Sequence, residues 1–113
     1  MNCKSTEAEY YCITTARGPL HIHINYDDKG PVKLFVHIPP VGSDISTFAT
    51  LTGILVTKYL AVGGDIKTII KHLGSITSGA ATHWEGMKIN SIPHAISVAL
   101  RLHLEKEQAN GTS

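Results

Sequence analysis

Three of the seven histidines of this 113-residue chain fall in one stretch, PLHIHINYDDKGPVKLFVHI, from Pro19 to Ile38. Side chains alternate in direction along a strand, so Leu20, Ile22, Ile24 and Tyr26 form one apolar face while His21, His23 and Asn25 form the other. The return stretch divides in the same way, into Val32, Leu34, Val36 and Ile38 against Lys33, Phe35 and His37. The apolar faces coincide only if paired residue numbers sum to an even value, because a one-residue slip turns one strand inside out. A three-residue loop of Asp28, Lys29 and Gly30, with the glycine left-handed, supplies that register and sets His21 opposite His37. The spacing suits metal ligands, yet no cysteine or carboxylate stands near to complete a zinc shell. The expectation is therefore no metal: the histidines form a wet sheet face or a dimer seam.

Other residues carry binding chemistry. Arg17 and Arg101 each offer a planar fork suited to phosphate, or to a surface ion pair. Trp84 is the only tryptophan, set between His83 and Glu85 in TSGAATHWEGMK. Read as a polar loop, that segment needs either a core slot or a ligand to cover its indole. Asn90 and Ser91 stand at a helix start, where backbone N–H groups favour anions and the side chains could bond the edge of a base. Arg17, His83, Trp84, Asn90, Ser91 and Arg101 are accordingly the candidate ligand-binding residues. The chain has no nucleophile elbow and no glycine-rich phosphate loop, and Asp27-Asp28 is accounted for by turn chemistry. His83, Glu85 and His94 are the set that could converge for hydrolysis, so a small hydrolase remains an alternative.

The elements that must position these groups follow from pattern and punctuation. EYYCITTAR, Glu9 to Arg17, is rich in β-branched and aromatic residues and reads as a first strand before the hairpin. Ser43 or Asp44 caps SDISTFATLTGILVTKYLAVGG, a helix that is apolar around most of its circumference and ends at Gly63-Gly64. Gly53 within it permits close approach by a neighbouring backbone. Asp65 caps a shorter helix, DIKTIIKHLGSI, and a last helix starts near Ser91, carries Pro93 early, and is expected to fray from Lys106 onward. The fold class is α+β, an antiparallel sheet of at least three strands against a long central helix and two further helices, in one domain. A central helix so apolar predicts a homo-oligomer.

Composition narrows the partners. Formal charge is +1 and the ten Lys and Arg are dispersed, which argues against duplex nucleic acid. Cys3 and Cys12 match neither a metal clip nor a redox pair and are expected to be reduced thiols in a cytoplasmic protein. The start MNCKSTEAEYY lacks a signal peptide's apolar core. The stretch Ile45 to Val62 carries too many threonines and a lysine for a bilayer span, so no membrane partner is expected.

The element order, together with NSIPHAISVAL from Asn90 to Leu100, resembles the TSCPD domain found at the C-terminal end of cobalamin-dependent ribonucleotide reductases and as stand-alone proteins. The resemblance runs from Gly18 to about Leu104. Ile92 stands where the family motif has cysteine, and Asp44 in GSDIS replaces another, so neither thiol chemistry nor a cysteine-bound metal is implied here. In size and element order the chain also resembles the stand-alone phage Thoeris anti-defence sponges. That resemblance implies a homo-oligomer that sequesters a cyclic adenine nucleotide, such as glycocyclic ADP-ribose, without cleaving it and without a cofactor. The alternative implied by the first resemblance is an accessory or regulatory module of ribonucleotide reduction.

Overall fold

The computed structural model describes residues 7–111. Strands β1 (Glu7–Thr15), β2 (Gly18–Asp27) and β3 (Gly30–His37) form an antiparallel meander ordered β1-β2-β3. Its inward positions, among them Ile13, Leu20, Ile22, Ile24, Leu34 and Val36, are buried, and His21 lies opposite His37 as the register argument requires. The turn is one residue shorter than expected. Asp28 and Lys29 alone reverse the chain, and Gly30 pairs with Asp27 at a φ of 127°. An irregularity beside Asn25 and Tyr26 then restores the register that buries both apolar faces.

Helix α1 (Asp44–Ala61) starts at Ser43, whose hydroxyl accepts from the Ser46 N–H at 3.1 Å. Only a narrow stripe of it is buried, at Ser46, Ala49, Gly53 and Val56. The small residues bring the helix very close to β3: a Cβ on Gly53 would stand 2.9 Å from the Leu34 carbonyl oxygen and 3.3 Å from the Val36 nitrogen. Thr57 Oγ1 accepts from the Leu34 N–H at 2.9 Å and donates to the Leu34 carbonyl at 3.3 Å. β3 is an edge strand, and α1 runs along it and engages its backbone at Leu34. Helix α1 thus flanks the sheet at β3, within the expected α+β arrangement of an antiparallel three-stranded sheet and three helices. The inner face is covered instead by α3 (Ile92–Gly111), through Ala95, Ile96, Val98, Ala99 and Leu100.

Helix α2 (Ile66–Gly74) is capped by Asp65, which accepts from the Thr68 N–H and hydroxyl, and it packs on α3. The segment expected as a loop contains a second small sheet, β4 (Thr82–Trp84) and β5 (Met87–Ile89). Glu85 and Gly86 both take positive φ, 50° and 77°, which is the type I′ turn that joins tightly twisted strands. Helix α3 continues past Lys106 to Gly111. Among the described residues no helix is long and apolar enough to cross a membrane. Cys12 is exposed and free, while Cys3 lies outside the described residues.

Candidate functional site

The β4–β5 hairpin places Trp84 directly opposite Met87, so the two side chains share a face. Both pack against the core, whereas His83, one residue earlier, points the other way and is exposed. From α3, Arg101 Nη2 reaches to 3.6 Å from Met87 Sδ. Indole and guanidinium are thus each a neighbour of the Met87 thioether, and the arginine side chain is 48% exposed. Its only carboxylate contact among the described residues is Glu105 at 3.9 Å, a spacing at which an exposed pair holds weakly. The guanidinium keeps donors for an incoming anion, and the partly exposed indole offers a π face beside it.

The other expected ligand residues are placed differently. Ser91 is buried and its hydroxyl is engaged twice, donating to the Ile76 carbonyl at 2.6 Å and accepting from the His94 N–H at 3.0 Å. It caps α3 and ties down the chain after α2. Asn90 serves the same junction through its backbone: its N–H donates to His94 Nδ1 at 3.0 Å, and its carbonyl accepts from Ser78. His94 is held below its ordinary pKa by burial and, secondarily, by the positive charge of Arg101. With Nδ1 occupied as an acceptor, the hydrolytic set of His83, Glu85 and His94 has no free base on His94 Nδ1. Arg17 lies exposed in the β1–β2 turn, where its N–H donates to Thr15 Oγ1 at 3.1 Å. The structure thus brings Trp84 and Arg101 together through Met87 and leaves Arg17 and His83 outside that contact.

On the outer face of the sheet, the Tyr10 hydroxyl and His21 Nδ1 are hydrogen-bonded, and the Tyr10 ring lies against His21 and His23. Among the described residues no three of His, Cys, Asp and Glu come together to hold a metal ion.

One cluster escaped the sequence reading. His103 is fully buried, with Nδ1 2.7 Å from Glu9 Oε1, and Lys106 Nζ stands 2.6 Å from Glu9 Oε2. Burial raises the Glu9 carboxyl, but the bonds from Lys106 and His103 outweigh it and hold the group below its ordinary value of 4.5. Tyr11 beside it is pushed up to about 12, by burial first and then by the Glu9 charge. The signal was present: His103 continues the Ile96, Ala99 spacing on the core side of α3.

A three-stranded meander with a short hairpin and three helices defines an α+β domain. The TSCPD domain profile matches residues 3–104, and the chain belongs to that family. The match takes in β1, which a resemblance starting at Gly18 leaves out. Ile92 is the first residue of α3. No curated protein and no solved structure matches the chain.

Proposed function

We propose that the chain is a non-catalytic nucleotide-binding member of the TSCPD family, which sequesters a cyclic adenine nucleotide of the glycocyclic ADP-ribose kind. The observation that carries this reading is the corner around Met87, which has a base-stacking ring, Trp84, opposite it in the hairpin and a phosphate-binding fork, Arg101, 3.6 Å from its sulfur. Stacking and an arginine–phosphate contact each contribute about 1 to 3 kcal/mol. Arg101→Ala and Trp84→Ala should then each weaken binding at least tenfold while leaving the circular dichroism spectrum unchanged. Unaltered affinity in both variants would refute the site.

A ligand corner this shallow needs a second wall, and self-association would supply one. Helix α1 leaves Phe48, Leu51, Ile54 and Leu55 exposed, on the order of 400 Å² of apolar surface, the size that marks an interface on a soluble chain. Phe48, Leu51 and Leu55, followed by Val62, repeat at the spacing with which one helix covers another. A second copy of α1, packed about a two-fold axis, is the occupant that spacing fits.

The second reading is a regulatory module of ribonucleotide reduction, favoured by family membership over residues 3–104. The absence of cysteine at Ile92 and Asp44 weighs against a thiol role in it. Copurification with a reductase subunit would support it over sequestration.

A further inference from the structure

The face of the sheet turned away from α3 serves neither the core nor the Trp84–Arg101 corner. We propose that this face, carrying Tyr10, His21, His23, Phe35 and His37, is a stacking platform for unpaired bases of single-stranded nucleic acid. Tyr10, His23 and Phe35 form one row across β1, β2 and β3, and His21 and His37 pair in the next. Tyr10 and Phe35 are 50% and 54% exposed. The rings are already ordered against one another, with centroids 5.8 Å apart for Tyr10 and His21, 4.8 Å for Tyr10 and His23, and 5.8 Å for His21 and His37. Two strand spacings separate Tyr10 from Phe35, roughly 10 Å, enough for the two or three splayed bases that a sheet surface stacks in other single-strand readers.

Two features select this occupant over a protein. The outward positions of Ala8–Thr14, Pro19–Asn25 and Lys33–His37 hold no leucine, isoleucine or valine, unlike the exposed stripe of α1. Their only carboxylate is Asp27, beyond them at the turn end of β2, while Lys33 lies on the same face. Beyond β3 the platform borders a mainly apolar groove of about 270 Å³ between β3 and α1, lined by Leu34, Phe35, Val36 and Ile54, with Lys33 and Lys58 also in its wall. Rings with two lysines at one end, and no acid among them, complement a chain of bases joined by phosphates. Duplex offers its phosphates but not its base faces, which are stacked on one another.

The test is anisotropy of labelled 12-mers of uridine and of thymidine, and of a duplex of equal length, titrated with the full-length protein at low salt. Both single strands should bind at micromolar protein, the duplex at least tenfold more weakly. Preference for one sugar would identify the natural strand as RNA or DNA. Tyr10→Ala with Phe35→Ala should weaken binding at least tenfold without lowering the melting temperature. Lys33→Gln with Lys58→Gln should flatten the salt dependence by about one unit of slope. Trp84→Ala and Arg101→Ala should leave these titrations unchanged, so failure here is separable from failure of the nucleotide corner. No binding at 100-fold higher protein, equal binding of duplex, or full binding by the double aromatic variant would overturn the platform.

Discussion

His103 and Glu9, 94 residues apart in sequence, are joined by a 2.7 Å contact between Nδ1 and Oε1 that ties the end of α3 to β1. Its second oxygen bonds Lys106, which helps hold α3 in helical form beyond the point where composition predicts fraying. Among the described residues the buried His103 Nε2 has no partner, and Glu9 is the one hydrogen-bond partner of the imidazole. Glu9→Ala would leave a buried ring with both nitrogens unpaired, at a cost of about 1 to 3 kcal/mol. Chemical denaturation at neutral pH measures it, and a wild-type midpoint would show the contact to be inert.

The same pair sets an acid limit. The Glu9 carboxyl in the folded chain lies below its ordinary 4.5, so it stabilises the fold fully above that value. The contribution is lost as pH falls through the lower folded value. Denaturation midpoints should therefore decline below pH 4.5 in the wild type and decline less steeply in Glu9→Gln, which keeps a side chain of equal size. Parallel declines would place the acid sensitivity elsewhere.

Gly53→Ala should destabilise the protein, although alanine favours helix by about 1 kcal/mol over glycine. The added methyl would meet β3 backbone at 2.9 Å and 3.3 Å, and a strand paired on its other side cannot retreat. Overpacking of this kind costs about 1 to 3 kcal/mol. A raised melting temperature would mean that α1 stands off β3.

Much of this architecture can be read from residue order. Alternation puts His21, His23 and His37 on one face, and Gly53 within an apolar helix announces a close backbone approach. What pattern could not reveal is which helix takes the sheet's face. Helix α1 is the more hydrophobic, yet its buried stripe is the small-residue one, suited to an edge. The β4–β5 hairpin is concealed because glutamate, which rarely adopts positive φ, stands where asparagine usually signals the turn. Of the candidate site, Trp84 and Arg101 can be recognised by residue type, but their meeting through Met87 depends on that hairpin. A hydroxyl at a helix start serves the cap as readily as a ligand, and Ser91 serves the cap.

The proposed self-association rests on the exposed side of α1. Leu51→Asp with Leu55→Asp should convert a dimer or larger assembly into monomer in sedimentation velocity at micromolar concentration, with secondary structure retained. A monomeric wild type under those conditions would refute the interface.

The central claim, binding without cleavage at the Trp84–Arg101 corner, is tested most directly by calorimetry against glycocyclic ADP-ribose and cyclic di- and trinucleotides, followed by denaturation and chromatography of the bound material. The account predicts saturable heat with at least one of them, lost in Arg101→Ala and Trp84→Ala, and recovery of the ligand chemically unchanged. No heat with any member of the panel, or recovery of a cleaved product, would contradict it.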